Sequence, residues 1–126
     1  KIITNHIDCD VLTINASDLS GVDVVRDKIK GFSSSMGFKK WKIVFLDESD
    51  YLSPNAQASL RNLMETFSTS TRFILTCNYI EKIIEPIQRR CQMFEIIPPS
   101  KKEVIKRMKE ILNIEKVKYD MGDLET

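Results

Sequence analysis

Apolar residues along this chain follow two alternating patterns. Val11-Leu12-Thr13-Ile14, Ile43-Val44-Phe45-Leu46 and Phe73-Ile74-Leu75 are short, almost continuous apolar runs. Runs of that length fit strands covered on both faces, as a parallel sheet between helices requires. Between them the apolar positions fall at helical spacing, at Val24, Val25, Ile29 and Phe32 and again at Leu60, Leu63, Met64 and Phe67. A third such set, Val104, Ile105, Met108, Ile111 and Leu112, lies near the end of the chain. Local signals mark the boundaries. Ser20 with Asp23, and Ser100 with Glu103, have capping-box spacing, and Ser53-Pro54 is a helix start with proline at the first position. Lys1 to Ile7 read as the tail of a helix, Asn15 to Gly21 as a polar turn, and Ser33 to Lys40 as a loop. The third strand is expected over Arg72–Cys77. Ile83 to Gln88 are expected as short helical turns interrupted by Pro86, and Met93 to Ile97 as a last, buried strand stopped by Pro98-Pro99. The alternation of strands and helices predicts an α/β layered domain with a parallel sheet flanked by helices.

Composition narrows the class only a little. The 126 residues suffice for one modest domain, and 19 basic against 18 acidic side chains give a net charge of +1. Overall charge therefore argues neither for nor against nucleic acid, and local patches must carry any such contact. Cys9, Cys77 and Cys91 are widely spaced, and His6 is the one histidine, so a zinc site is not expected. Unpaired spacing of this kind fits a reducing, intracellular compartment. No apolar run is long enough to span a membrane. The chain starts at Lys1, inside an apolar pattern, which is expected of a sequence missing its beginning.

Chemistry concentrates at strand ends. Ile43-Val44-Phe45-Leu46 runs directly into Asp47-Glu48-Ser49-Asp50, placing acids where a parallel sheet stops and a crevice can open. A plain acidic turn is the alternative reading. The next strand ends at Asn78, a poor strand residue, which reads either as a simple strand-ending turn or as a donor and acceptor positioning a water or phosphate. Then comes Glu85-Pro86-Ile87-Gln88-Arg89-Arg90-Cys91, with two adjacent arginines before the expected last strand. Either they form surface ion pairs, or one of them stabilises phosphoryl charge in a partner subunit.

Taken in order, Leu46-Asp47-Glu48-Ser49-Asp50, Gln57-x-x-Leu60-Arg61-x-x-Met64-Glu65, Thr76-Cys77-Asn78 and Ile84-x-Pro86-Ile87-Gln88-x-Arg90-Cys91 resemble the small ATPase subunits of DNA-polymerase clamp loaders. That is the replication factor C group of AAA+ ATPases, including its phage members. The resemblance covers about residues 8 to 119. It implies an incomplete AAA+ P-loop NTPase domain, with residues 1–98 as a partial ATPase core and 99–126 as the start of a helical lid. It further implies that Asp47 is the Walker B aspartate organising Mg²⁺ and that Glu48 activates the attacking water. Asn78 would be the sensor-1 residue reading the γ-phosphate, and Arg90 the arginine finger entering a neighbour's ATP site. The family usually has Ser before the finger, where this chain has Arg89. Arg61 and Glu65 would lie on the helix facing neighbouring subunits and a central DNA chamber. Arg26, Lys28 and Lys30, with Arg61, are the candidate contacts to DNA phosphates.

No G-x-x-x-x-G-K-[ST] occurs in the 126 residues. By comparison with the family, the first strand, the phosphate loop and the lid arginine are missing, and the chain reads as a piece of a subunit truncated at both ends. ATP and Mg²⁺ are expected in the complete protein and neither tightly bound here. The partners implied are other clamp-loader subunits, a sliding clamp and primer–template DNA, in prokaryotic or phage-infected cytoplasm or a eukaryotic nucleus. Two further readings stand beside the clamp-loading ATPase. One is a non-catalytic module that donates Arg90 in trans. The other is a DExD-box helicase fragment, disfavoured by the Ile-x-Pro-Ile-Gln-x-Arg-Cys pattern.

Overall fold

A computed structural model describes residues 6–18, 22–120 and 122, Val22 by its backbone alone. Residues 1–5 of the helix tail expected over Lys1–Ile7, and the Ser20–Asp23 box, through Ser20, lie outside the described residues. The chain divides into two compact units, Lys1–Gln92 and Met93–Thr126.

In the first unit the apolar runs form three parallel strands, β1 (Cys9–Asn15), β2 (Trp41–Asp47) and β3 (Thr71–Leu75), in the order β1-β2-β3. Helices α1 (Val22–Ser34) and α2 (Pro54–Thr66) supply the crossovers that parallel neighbours need. β2 is central, with Val44 beside Leu12 and Phe73, and Leu46 beside Ile14 and Leu75. Those residues point to the face that packs on Val25 and Ile29 of α1 and on Ala56, Leu60, Leu63 and Met64 of α2. Each fully buried aliphatic side chain there contributes about 1.5–3 kcal/mol. Ser53 caps α2 as expected, its hydroxyl accepting from the Ala56 amide at 3.3 Å, with proline in the first turn.

Short-range details differ from the expectation. β3 stops at Leu75, although the Thr76 amide still donates to the Leu46 carbonyl at 2.9 Å. Pro86 sits in the first turn of the helical turn α3 (Glu85–Gln88), so it begins that turn instead of interrupting one. Ile83 and Ile87 bury themselves against the α2 core.

Met93 to Ile97 corrects the sequence reading in the second unit. No strand forms there, and Phe94, Ile96 and Ile97 are 78, 90 and 77% exposed. A strand exists only through a neighbour's hydrogen bonds, and no described residue of this unit forms one. Helix α4 (Lys101–Ile114) follows, opened by the expected capping box between Ser100 and Glu103. At its far end Lys116 turns left-handed (φ 56°) and the Val117 amide closes on the Leu112 carbonyl at 2.9 Å.

Candidate functional site

The carboxyl ends of β1, β2 and β3 form one edge of the sheet, the place where parallel α/β sheets hold ligands. β2 delivers Asp47 there because its apolar residues, fixed in the core on either side, leave the first polar residue at the rim. Glu48 follows in the left-handed region (φ 53°, ψ 43°), which turns the chain out of the strand into the 3-10 turn Ser49–Tyr51. Asp47 and Glu48 are half-buried.

Two strand ends are knitted together at this edge. The Ser49 amide donates to the Thr76 carbonyl at 2.8 Å, and the Ser49 hydroxyl returns to the Leu46 carbonyl at 3.1 Å. The Thr76 hydroxyl donates to Asp47 Oδ1 and accepts from the Glu48 amide at 3.2 Å. Asp50 is buried; its Oδ1 lies 3.4 Å from the Asn78 amide, and its Oδ2 has no hydrogen-bond partner among the described residues. Burial, then the charges of Asp50 and Glu81, push the Cys77 thiol above its ordinary pKa. Asp47 and Glu48 at the end of β2, and Asn78 in the segment after β3, thus lie along one edge of the sheet, with Asn78 exposed.

Arg90 sits elsewhere. At the end of α3 its Nη1 donates to the Pro86 carbonyl at 2.7 Å and its Nη2 pairs with Glu65 of α2. Arg89 instead turns back on Glu85, Nε to Oε1 3.1 Å, an exposed pair within one turn. The two neighbouring arginines therefore differ in kind, one bridging two helices and the other local. Among the described residues no hydrogen bond or ion pair joins Arg90 to Asp47, Glu48 or Asn78.

The basic candidates are dispersed. Arg26 pairs with Asp23 at 2.9 Å and Asp27 at 3.3 Å. Arg26 and Lys30, four residues apart, share one flank of α1, while Lys28 lies across the buried stripe from them. Arg61 on α2 is 3.8 Å from Glu65, and its Nε is buried without a hydrogen-bond partner among the described residues.

The contacts of four side chains escaped the sequence reading, because most of their partners are distant in the chain. Besides Thr76, Gln57 is buried in α2, and its amide links the Leu52 and Lys82 carbonyls and the Ile84 amide at 3.1, 2.9 and 2.8 Å. That side chain ties the segment after Asn78 to the helix after Asp47. Lys82 also lies over the Tyr79 ring at 4.5 Å and near Tyr51 at 6.0 Å, beside the acidic edge. Asp10 holds the loop before β2, accepting from the Phe38 and Lys39 amides at 2.8 and 3.2 Å. The visible signals were Gln57 and Thr76 within the motifs quoted above and a tyrosine directly after each edge residue, Asp50 and Asn78.

No group of three His, Cys, Asp or Glu among the described residues is arranged to hold a metal by itself. One carboxylate, Asp47, with one oxygen engaged by a hydroxyl and the other not engaged in any bond described above, fits Mg²⁺ carried mainly by phosphates and water.

Comparison with known proteins follows the same lines. Residues 1–99 match the sequence profile of the ATPase family associated with various cellular activities (AAA). The chain is 50% identical over 116 residues to the replication factor C small subunit of Archaeoglobus fulgidus, covering 90% of this chain and 36% of that protein. With the protein of that name from Sulfurisphaera tokodaii it shares 47% over 117 residues, 91% of this chain and 36% of the other. It spans about a third of the length of these curated relatives. A RuvB mutant from Thermotoga maritima superposes with a TM-score of 0.71 at 13% identity, over 92% of this chain and 39% of that one. At that identity the likeness concerns the fold alone, a partial AAA+ domain.

Proposed function

The chain belongs to the AAA family of ATPases and groups with the replication factor C small subunits; on that premise we propose that it is part of a clamp-loader ATPase subunit. Such a subunit uses ATP binding and hydrolysis to place a sliding clamp on primed DNA. The observation that carries the reading is the edge where β2 ends at Asp47 and Glu48 and is hydrogen-bonded to the Thr76–Asn78 segment that follows β3.

In this reading residues 1–98 are the ATPase core and 99–126 begin the lid. Asp47 would hold Mg²⁺, which would supply positive charge against the phosphates of a bound nucleotide. Glu48, turned out of the strand by its left-handed backbone, orients and deprotonates the attacking water. Asn78 presents its side-chain amide to the terminal phosphate. Arg90 serves an adjacent subunit, with its guanidinium held between α2 and α3 so that little reorganisation is needed. Arg26, Lys28, Lys30 and Arg61 contact DNA phosphates, since a loader that acts at any primer junction needs no base readout. The other partners are the remaining subunits and the clamp.

The missing G-x-x-x-x-G-K-[ST] favours a second reading, in which these 126 residues alone neither bind nor hydrolyse ATP and only Arg90 acts, in trans. One experiment addresses both. This chain replaces the matched segment of the Archaeoglobus fulgidus small subunit, and ATP turnover of the assembled chimera is compared with that of the isolated chain. Turnover by the chimera alone is expected. Glu48→Gln should abolish it with ATP binding retained, and Arg90→Ala should lower it by about 10³–10⁵. Arg89→Ala should be mild. Equal, small effects of the two arginine substitutions would remove the finger assignment, and full turnover in Glu48→Gln would remove the water-activating role.

A further inference from the structure

Thr76 has no task in the reading above, yet its hydroxyl touches both members of the acidic pair. Its backbone is clamped to β2 on both sides. The amide donates to the Leu46 carbonyl at 2.9 Å, and the carbonyl accepts from the Ser49 amide at 2.8 Å. Those bonds straddle Asp47 and Glu48, so the Thr76 side chain is fixed opposite the peptide that joins them. From there the hydroxyl donates to Asp47 Oδ1 and accepts from the Glu48 N–H at 3.2 Å.

A single atom that both donates and accepts is what this position requires, and only a hydroxyl supplies it without extra length. The acceptor half ties down the amide of a non-glycine residue held at φ 53°, a conformation that L residues with a Cβ rarely adopt. The donor half engages one oxygen of Asp47 and leaves its other oxygen free of that bond. Capping the strand end would need only the acceptor half. The bond to Asp47 does nothing for the backbone, and it fixes which way the carboxylate faces.

We propose that Thr76 is the positioning residue of the acidic pair, one hydroxyl setting both the rotamer of Asp47 and the backbone turn that aims Glu48. The inference rests on the assignment of Asp47 to Mg²⁺ and of Glu48 to water made above, and it adds the group that keeps the two in register.

The first test uses the 126-residue chain and needs no nucleotide. Amide hydrogen exchange is followed by NMR in the wild type, Thr76→Val and Thr76→Ser. Loss of one hydrogen bond to the Glu48 amide should speed its exchange about tenfold in Thr76→Val. In Thr76→Ser it should stay near wild type, and the Ser49 amide, bonded to the Thr76 backbone, should remain protected in both. Unchanged exchange at Glu48 in Thr76→Val overturns the proposal. So does equal loss in Thr76→Ser, which would assign the effect to the methyl group.

The second test uses the chimeric subunit and reads the Mg²⁺ concentration giving half-maximal ATP turnover. Thr76→Val should raise it about tenfold, as expected for one charge-assisted hydrogen bond, with Thr76→Ser restoring it. Asp47→Asn separates the two layers of argument. If Asp47→Asn is silent, the metal-binding role of Asp47 fails while the exchange result stands. If Asp47→Asn abolishes turnover and Thr76→Val keeps the wild-type Mg²⁺ dependence, the metal role stands and the proposal for Thr76 is overturned.

Discussion

Lys42 is a lysine that the sequence places at the start of a strand and the structure buries to 7% exposure. Its ammonium reaches the carbonyls of Phe32, Ser33 and Ser35 at the end of α1 and lies 5.6 Å from the Phe32 ring centroid. A cation suits that end of a helix, where carbonyls lack intrahelical partners. Replacement by methionine would relieve the cost of burying a charge but orphan several acceptors at once. The second effect is the larger, because unsatisfied buried groups cost about 1–3 kcal/mol each. Lys42→Met should therefore lower stability by about 1–2 kcal/mol, read as a lower urea midpoint, and an unchanged midpoint would contradict the capping role. Nothing near Lys42 in the chain announces this, since its partners are seven to ten residues back. The same holds for Thr76 with Asp47 and for Arg90 with Glu65, whose separations are 29 and 25 residues. Asp47, Glu48 and Asn78 could be singled out as candidates from sequence because they follow apolar runs; the bonds from the Thr76 hydroxyl to Asp47 and the Glu48 amide could not.

Elements were legible where their signals are local. Ser53-Pro54 and Ser100-x-x-Glu103 mark helix starts through bonds made within one turn, and both caps form. Met93–Ile97 has equally good strand residues and forms no strand, because pairing is a property of the neighbour. The cap of α4 carries a pH signature. The Ser100 hydroxyl, then the Ser100 amide, hold the Glu103 carboxyl below its ordinary pKa. A depressed carboxylate contributes above its unfolded value and loses that contribution as pH falls through the folded one. Acidification into and below the ordinary carboxylate range should therefore fray the first turn of α4. NMR titration of the Glu103 side chain should give a midpoint below that of an unstructured glutamate, and Ser100→Ala should move it upward. A midpoint unmoved by Ser100→Ala would show that the box does not form in solution.

For the molecule as a whole, the sequence conveyed the class of fold, while the exposed surface came only with coordinates. β1 and β3 each have one partner among the described strands, so both present unpaired backbone, and Phe94, Ile96 and Ile97 are bare. Parallel edges and apolar segments of this sort invite pairing with another chain. Sedimentation of the isolated chain should show an average mass that rises with concentration, and Phe94→Ser with Ile96→Lys should suppress the rise. A strictly monomeric wild type across that range would mean the exposed segment is not adhesive.

Glu48 and Lys116 are the non-glycine residues with positive φ among those described. At Lys116 the twist merely ends a helix, a job glycine does better; at Glu48 it turns the chain beside a carboxylate. Glycine at either position removes the steric clash of a Cβ, a relief of roughly 1 kcal/mol after its greater unfolded freedom is deducted. Lys116→Gly and Glu48→Gly should thus both raise the melting temperature by a few degrees, and Glu48→Ala should not. A more heat-resistant protein is then one substitution away at either site. At Glu48 that gain would cost the carboxylate to which water activation is assigned above.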